Sequence, residues 1–339
     1  MTQPPATMPD VSVILAVRNG GSDLPKAMET IFAQTFVNFE LVVIDNGSTD
    51  GTAAYLKTIK DPRLRVFDHA EPGLAGALNY GIAKARGRYI ARQDHDDWAL
   101  PTRIERQVEF LNAHPDHALV GTRAEIWVGN VPDRRYHDHP TDDATLRFEL
   151  LLNNPFVHSS VMIRKSALDE VGLYTTDRSR QPPEDYELWS RLARRFRVAN
   201  LPERLTIYRE MPNSISRAGD NPFLQKLVLI SSENLACATG AGKPQQVHID
   251  IAALTYGSEE QVSPAPDLAA MCAVIREAGR AIGGSQPPGD LVRRIAAAQA
   301  RLKHRLRLRQ PSYRGAVIAG RAVRKSLAAF RRAMSMGGS

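Results

Sequence analysis

The sequence predicts an α/β fold: a mostly parallel sheet flanked by helices, with a helical C-terminal extension. Three observations carry this. Short apolar runs alternate with helix-patterned stretches through the first two hundred of 339 residues. Several of those runs end in polar clusters rich in Asp. From about Asn213 the pattern is helical, broken by Gly/Pro-rich stretches at 240–244 and 283–289. A βαβ order of this kind favours parallel strands with helices on both faces.

Val11-Ser-Val-Ile-Leu-Ala-Val17 reads as a strand buried on both faces. Leu24, Met28, Ile31 and Phe32 then follow helical spacing. Phe39-Glu-Leu-Val-Val-Ile44 is a second strand, ending at Asp45. A helix over 52–59, a strand over 64–67 and a helix over 74–85 follow, the last closed by Gly87. Arg88-Tyr-Ile-Ala-Arg-Gln93 is a fourth strand, running into Asp94-His95-Asp96-Asp97. Pro101 opens a helix to about His114, and a polar loop is expected over 132–143. A strand over 159–164, a short helix over 165–171 and a helix from Glu184 come next. Strand-like pieces at 197–201 and 205–208 finish the domain. Trp127 and Trp189 read as core. There is no internal repeat.

Composition excludes several classes. Hydrophobic residues make up 43% and charged residues 24%, ordinary globular usage. Cys237 and Cys272 are too few for a disulfide framework or a Cys-based zinc site, so a reducing, cytoplasmic setting is expected. No uncharged apolar run reaches the ~18 residues of a membrane span. Residues 1–10 lack the basic start of a secretory signal and are expected to be flexible. Charge is segregated. Residues 293–339 hold thirteen Lys and Arg and no acid, so in a chain of net charge +7 the preceding residues carry −6.

In such sheets ligands bind beyond the carboxyl ends of the strands, where Asp45 and the 94–97 cluster fall. Three carboxylates in four residues repel one another unless a cation or salt bridge relieves them. They fit a clamp for Mg²⁺ and a diphosphate, or a solvated acidic turn. Asp45-Asn-Gly-Ser-Thr-Asp-Gly-Thr52 fits a turn with a helix cap, or side chains of Asp45 and Asn46 presented to a nucleobase and ribose. Glu184-Asp185 opens a helix, where acids favour the dipole, and also suits a general base. His137-Asp-His139 lacks further ligands nearby and reads as an exposed or substrate-facing loop.

Taken together the pieces resemble the family 2 glycosyltransferases of GT-A fold. The likeness rests on Val11-Ser-Val-Ile-Leu-Ala-Val-Arg-Asn19, the 38–52 segment, Gly73-Leu-Ala-Gly-Ala-Leu-Asn79, the 85–91 segment, Asp94-His-Asp-Asp97, His158-Ser-Ser-Val-Met-Ile-Arg164, and Glu184-Asp185 with Trp189. It spans roughly residues 10–216. It implies a Rossmann-like donor-binding domain over 11–216 and inverting, single-sugar transfer from a nucleotide-diphosphate sugar, UDP-sugar first. The acceptor would be a glycan or lipid-linked glycan in surface polysaccharide biosynthesis. By position, Asp45 and Asn46 would hold the base and ribose, and Asp94 the ribose and metal region. Asp96 would bind Mg²⁺ or Mn²⁺. Ala16, Arg18, Asn79 and His95 would complete the donor site. Asp185 matches the base, with Glu184 beside it. Many members carry Arg where this chain has Leu78, leaving Arg18 or Arg92 to contact the diphosphate.

The remainder divides into a helical extension over 217–289 and a basic tail over 290–339. Leu291, Ile295, Leu302 and Leu306 form one apolar stripe there, and Val323, Leu327, Phe330 and Met334 another. Such helices either lie peripherally on the anionic inner face of the plasma membrane or pack on the body. Nucleic acid is the least favoured partner, because aromatic platforms are missing. Two rival functions are a nucleotidyltransferase, which wants a Gly-rich triphosphate loop after the first strand, and a non-catalytic nucleotide-sugar scaffold.

Overall fold

In the computed structural model, which describes residues 8–71, 73–211 and 223–310, β1 (Val11–Val17) is buried at all seven positions. β2 (Phe39–Asp45) pairs with it in parallel, Val17 standing opposite Asp45. β3 (Leu64–Asp68) extends the sheet beyond β2, and β4 (Tyr89–Arg92) pairs on the other side of β1. Helices α1 (Asp23–Phe32), α2 (Thr52–Thr58) and α3 (Leu74–Lys84) make the crossovers. Close packing needs glycine at two points. A Cβ on Gly81 would lie 2.8 Å from Ile14 Cγ2, and one on Gly87 would lie 2.6 Å from the Ser12 amide nitrogen.

β5 (Trp98–Ala99), α4 (Arg103–Ala113), β6 (His117–Val128), β7 (Val131–His137), α5 (Asp143–Glu149), β8 (Met162–Arg164), α6 (Lys165–Val171), α7 (Glu184–Arg195) and β9 (Arg197–Glu210) follow. The strand order is β3-β2-β1-β4-β8-β6-β9-β5, with β7 on the outer part of β6. β8 is antiparallel to β4 and β6, so β6 and β9 point the same way as β1 to β4. The carboxyl ends of β2, β4, β6 and β9 therefore share one edge.

The first half of the sheet is parallel as expected, and the second half is mixed. Residues 132–137 of the expected loop fall in β7, hairpinned on β6. β6 has no single period. It is buried continuously at first, then alternates where β7 covers it, so neither strand template fits its whole length. The two pieces at 197–201 and 205–208 are one strand, bent by register shifts against β6 around Thr122 to Ala124. Trp189 is fully buried, whereas Trp127 is half-buried against Trp98.

The chain forms two compact units that divide between Asn234 and Leu235, within α8 (Leu224–Ala238). The boundary expected at residue 216 lies outside the described residues. The second unit contains α9 (Gln246–Tyr256), α10 (Leu268–Gly283) and α11 (Gly289–Leu308). Asp267 caps α10 by accepting from the Ala269 and Ala270 amides. The first apolar stripe packs inside this unit: Leu291 and Leu302 are buried, and Ile295 and Leu306 half-buried. The second stripe, at 323–334, lies outside the described residues. Among the described residues no helix is long and apolar enough to cross a membrane.

Candidate active site

β4 delivers Arg92 to the carboxyl edge, and the chain then turns through Asp94-His95-Asp96-Asp97. The repulsion expected among these carboxylates is relieved unevenly. Arg92, 2% exposed, pairs with Asp94 at 2.5 Å. Burial works against the Asp94 carboxylate, but the Arg92 charge and hydrogen bond, together with His158 and His95, outweigh it and hold the group below its usual range. Asp97 turns inward. Its Oδ2 accepts from Ser159 Oγ and its Oδ1 from the Arg209 amide at 2.7 Å. Burial, then the neighbouring Asp94 and Asp96, push it well above its usual range. Asp96 is left half-buried, with no ion-pair partner among the described residues, and is raised by burial and by Asp94. His95 is half-exposed at the tip of the turn.

Glu184 and Asp185 open α7. Asp185 Oδ1 accepts from the Tyr186 amide at 2.7 Å, and its Oδ2 accepts from Asn154 Nδ2 at 2.8 Å. These bonds favour the anion, yet burial prevails and the carboxyl lies above its usual range. Glu184 is pushed up to about 7 by burial and then by Asp185. Arg92 and Asp94 both lie within electrostatic reach of Glu184, and Asp94 within reach of Asp185. The two acidic clusters, ninety residues apart in sequence, thus share one site.

The β1 and β2 ends form its other wall. Ala16 is buried within β1 beside Ile44, so only its main chain is available to a ligand. Arg18 is exposed. Asp45 accepts from the Ser48 amide, and the Asn46 amide lies within 3.4 Å of His69 Nδ1 and the Gly73 carbonyl. The Gly-Gly turn after β1 is stitched to the next loop: Asn19 N donates to Ser48 Oγ, Gly20 N to Thr52 Oγ1 and Gly21 N to Asp50 Oδ2. These amides are occupied, so the turn is not a triphosphate cradle.

Asn79 is committed within the protein, whereas buried Arg92 bonds only through Nη2 to Asp94, its Nε and Nη1 having no partner among the described residues. The Asn79 amide clamps the Tyr174 backbone, donating to its carbonyl at 2.8 Å and accepting from its amide at 3.0 Å. Tyr174 OH and His158 Nε2 lie 3.0 Å apart, and both rings pack on Trp189. Burial, then Arg92, lower His158 to about 3, so its imidazole is neutral. Leu78 faces the core of α3. His137 and His139 stack on each other while Asp138 pairs with Arg204 at 2.6 Å. Asn154 and Arg209 carry no motif that marks them in the sequence; Tyr174 follows a weak Gly-Leu turn signal at 172–173.

The family model for Glycosyl transferase family 2 matches residues 12–172. EpsE of Bacillus subtilis strain 168, which carries a glycosyltransferase name, is 32% identical over 229 residues, 66% of this chain and 81% of that protein. The chain is a family 2 glycosyltransferase. The succinoglycan biosynthesis protein ExoO of Rhizobium meliloti is 41% identical over 113 residues, 32% of each chain. Among solved structures, residues 1–349 of S. aureus TarS in complex with UDP-GlcNAc superpose with a TM-score of 0.60 at 16% identity, covering 91% of this chain and 92% of that one. Mannosyltransferase PcManGT from Pyrobaculum calidifontis, in complex with GDP-Man and Mn²⁺, gives 0.50 at 18%, covering 88% and 87%. Both share the GT-A fold with this glycosyltransferase.

The residues fit a divalent cation. Asp96 offers a hard oxygen ligand that no salt bridge among the described residues occupies, and Asp94 stands beside it. Among the described residues no three His, Cys, Asp or Glu converge on one point. The chain would therefore supply one or two carboxylates and a diphosphate the rest, as Mg²⁺ and Mn²⁺ sites commonly do.

Proposed function

We propose that this glycosyltransferase moves one sugar, with inversion, from a nucleotide-diphosphate sugar to a hydroxyl of a glycan or lipid-linked glycan, in the building of a surface polysaccharide. The observation that carries this is the meeting of the Glu184-Asp185 pair with the Asp94–Asp96 loop at one sheet edge. Asp185 takes the acceptor's proton as its oxygen attacks the anomeric carbon, and the bond from that carbon to the diphosphate breaks on the opposite face. Asn154 and the Tyr186 amide aim the carboxylate. Asp45, Asn46, Arg18 and the main chain at Ala16 hold the nucleoside end, with His95 and Asp94 nearer the diphosphate. A divalent cation at Asp96 would neutralise the charge that develops on the leaving diphosphate.

UDP-sugars are the first donors to test, because TarS is described with UDP and UDP-GlcNAc; PcManGT, described with GDP-Man and Mn²⁺, supports the metal and makes GDP-sugars the second. ExoO's part in succinoglycan biosynthesis supports a polysaccharide context. The test is transfer from a panel of nucleotide sugars, with product anomers read by NMR. Retained anomeric configuration, or transfer unchanged in EDTA, would remove inversion or the metal respectively.

The exposed face of α11 supports a peripheral partner. Arg301, Lys303 and Arg305 are exposed, and the helix carries no acid after Asp290. With its apolar stripe packed inside the second unit, attraction to an anionic membrane would be electrostatic rather than insertional.

A further inference from the structure

Arg209 is 3% exposed near the end of β9, more than a hundred residues from the acidic loop in sequence. Its main-chain amide donates to Asp97 Oδ1 at 2.7 Å. Its guanidinium makes four further bonds among the described residues. Nη1 donates to Asp23 Oδ1 at 2.8 Å and to the Asp96 carbonyl at 3.0 Å. Nε donates to the Gly129 carbonyl at 2.9 Å, and Nη2 to Asn130 Oδ1 at 2.8 Å. The plane lies over the Trp98 ring, 4.9 Å from its centroid. One side chain thus joins the start of α1, the acidic loop and the tip of the β6–β7 hairpin.

We infer that Arg209 is a positioning residue that sets the aim of the Asp96 carboxylate. It holds the loop on both sides of one peptide unit, through the Asp96 carbonyl and the Asp97 side chain. Both anchors fix the peptide unit from which the Asp96 Cα–Cβ bond projects, so the direction of that bond is held relative to the rest of the site. The planar fork with donors at three nitrogens suits this task; the single ammonium of lysine cannot reach Asp23, Asp96, Gly129 and Asn130 together. Neither anchor is a ligand contact, so the residue acts through Asp96. The inference rests on the proposed cation role of Asp96.

The test is UDP affinity by calorimetry, with and without Mn²⁺, for wild type, Arg209→Lys and Asp96→Asn, with melting temperature as the control on folding. Removing a partner that orients a metal ligand typically costs about 10–100-fold in metal affinity or activity. Arg209→Lys is expected to weaken the Mn²⁺-supported affinity at least about tenfold while leaving metal-free UDP binding nearly unchanged. Asp96→Asn should abolish the Mn²⁺ effect. If it does and Arg209→Lys keeps the wild-type Mn²⁺ effect, or loses metal-free binding equally, the positioning role is overturned. If Asp96→Asn keeps the Mn²⁺ effect, the cation reading fails and takes the positioning role with it. Should Arg209→Lys not fold, Asp23→Asn and Asn130→Ala replace it, since each removes one guanidinium partner. Both must raise the Mn²⁺ requirement; two unchanged variants overturn the inference.

Discussion

Asn154 donates to Asp185 Oδ2 across 31 residues of chain, at 2.8 Å. With the Tyr186 amide on Oδ1, this fixes the carboxylate that opens α7. Asp185→Asn keeps the shape but cannot take a proton, so the transfer rate at saturating donor should fall by about 10²–10⁴. Donor affinity should change little. A cap alone predicts the reverse, because Asn caps well. Retention of more than about a tenth of the rate would end the assignment. If Glu184→Gln is the dead variant instead, the base is its neighbour. Asn154→Ala should cost less than Asp185→Asn, since it loosens the base without removing it.

The pH dependence follows from the same pair. Both carboxyls are raised, Glu184 to about 7, and they titrate as one unit. A raised acid is protonated as pH falls through its shifted value, and the protonated base is inactive. The transfer rate should therefore fall on the acid side of neutrality, above the ~4 of an ordinary carboxylate. A wild-type rate flat down to about pH 5 would contradict this.

The parallel half of the sheet was legible because β1, β2 and β4 are uniformly buried and its helices keep one period. The acidic residues at strand ends were legible because chain topology alone sends β2 and β4 to one edge. β6 was not, since half of it is covered on both faces and half on one. The relief of the acidic turn was equally hidden. It depends on Arg92, Ser159 and Arg209, which only the sheet order β4-β8-β6-β9 brings together. Asn79 illustrates the opposite limit: its place in a motif is clear, but its amide's commitment to Tyr174, 95 residues on, is a tertiary fact.

Adjacent Asp96 and Asp97 should separate function from stability. Asp97 satisfies a buried hydroxyl and a main-chain amide, so Asp97→Ala leaves both unpaired. That should destabilise the fold by about 1–3 kcal/mol. Asp96→Ala removes one of three like charges and should leave the melting temperature unchanged or slightly higher, while abolishing metal-stimulated transfer. Thermal melts with matched assays decide it. Equal destabilisation by both variants would mean that Asp96 is structural as well.

The cationic face of α11 can be tested apart from catalysis. Arg301, Lys303 and Arg305 are exposed, so replacing all three with Ser should leave the buried Leu291 and Leu302 face intact. Each cation near an anionic surface contributes about 1 kcal/mol, so the triple variant should bind phosphatidylserine vesicles on the order of a hundredfold more weakly at low salt. The attraction is electrostatic, and raising salt shortens its range to a Debye length of about 8 Å near physiological strength. Wild-type binding should therefore weaken with salt, and transfer to a soluble acceptor should be unaffected by the triple substitution. Salt-independent binding would indicate insertion of an apolar element instead. Equal sedimentation of wild type and variant with the same vesicles would show that α11 does not face a membrane.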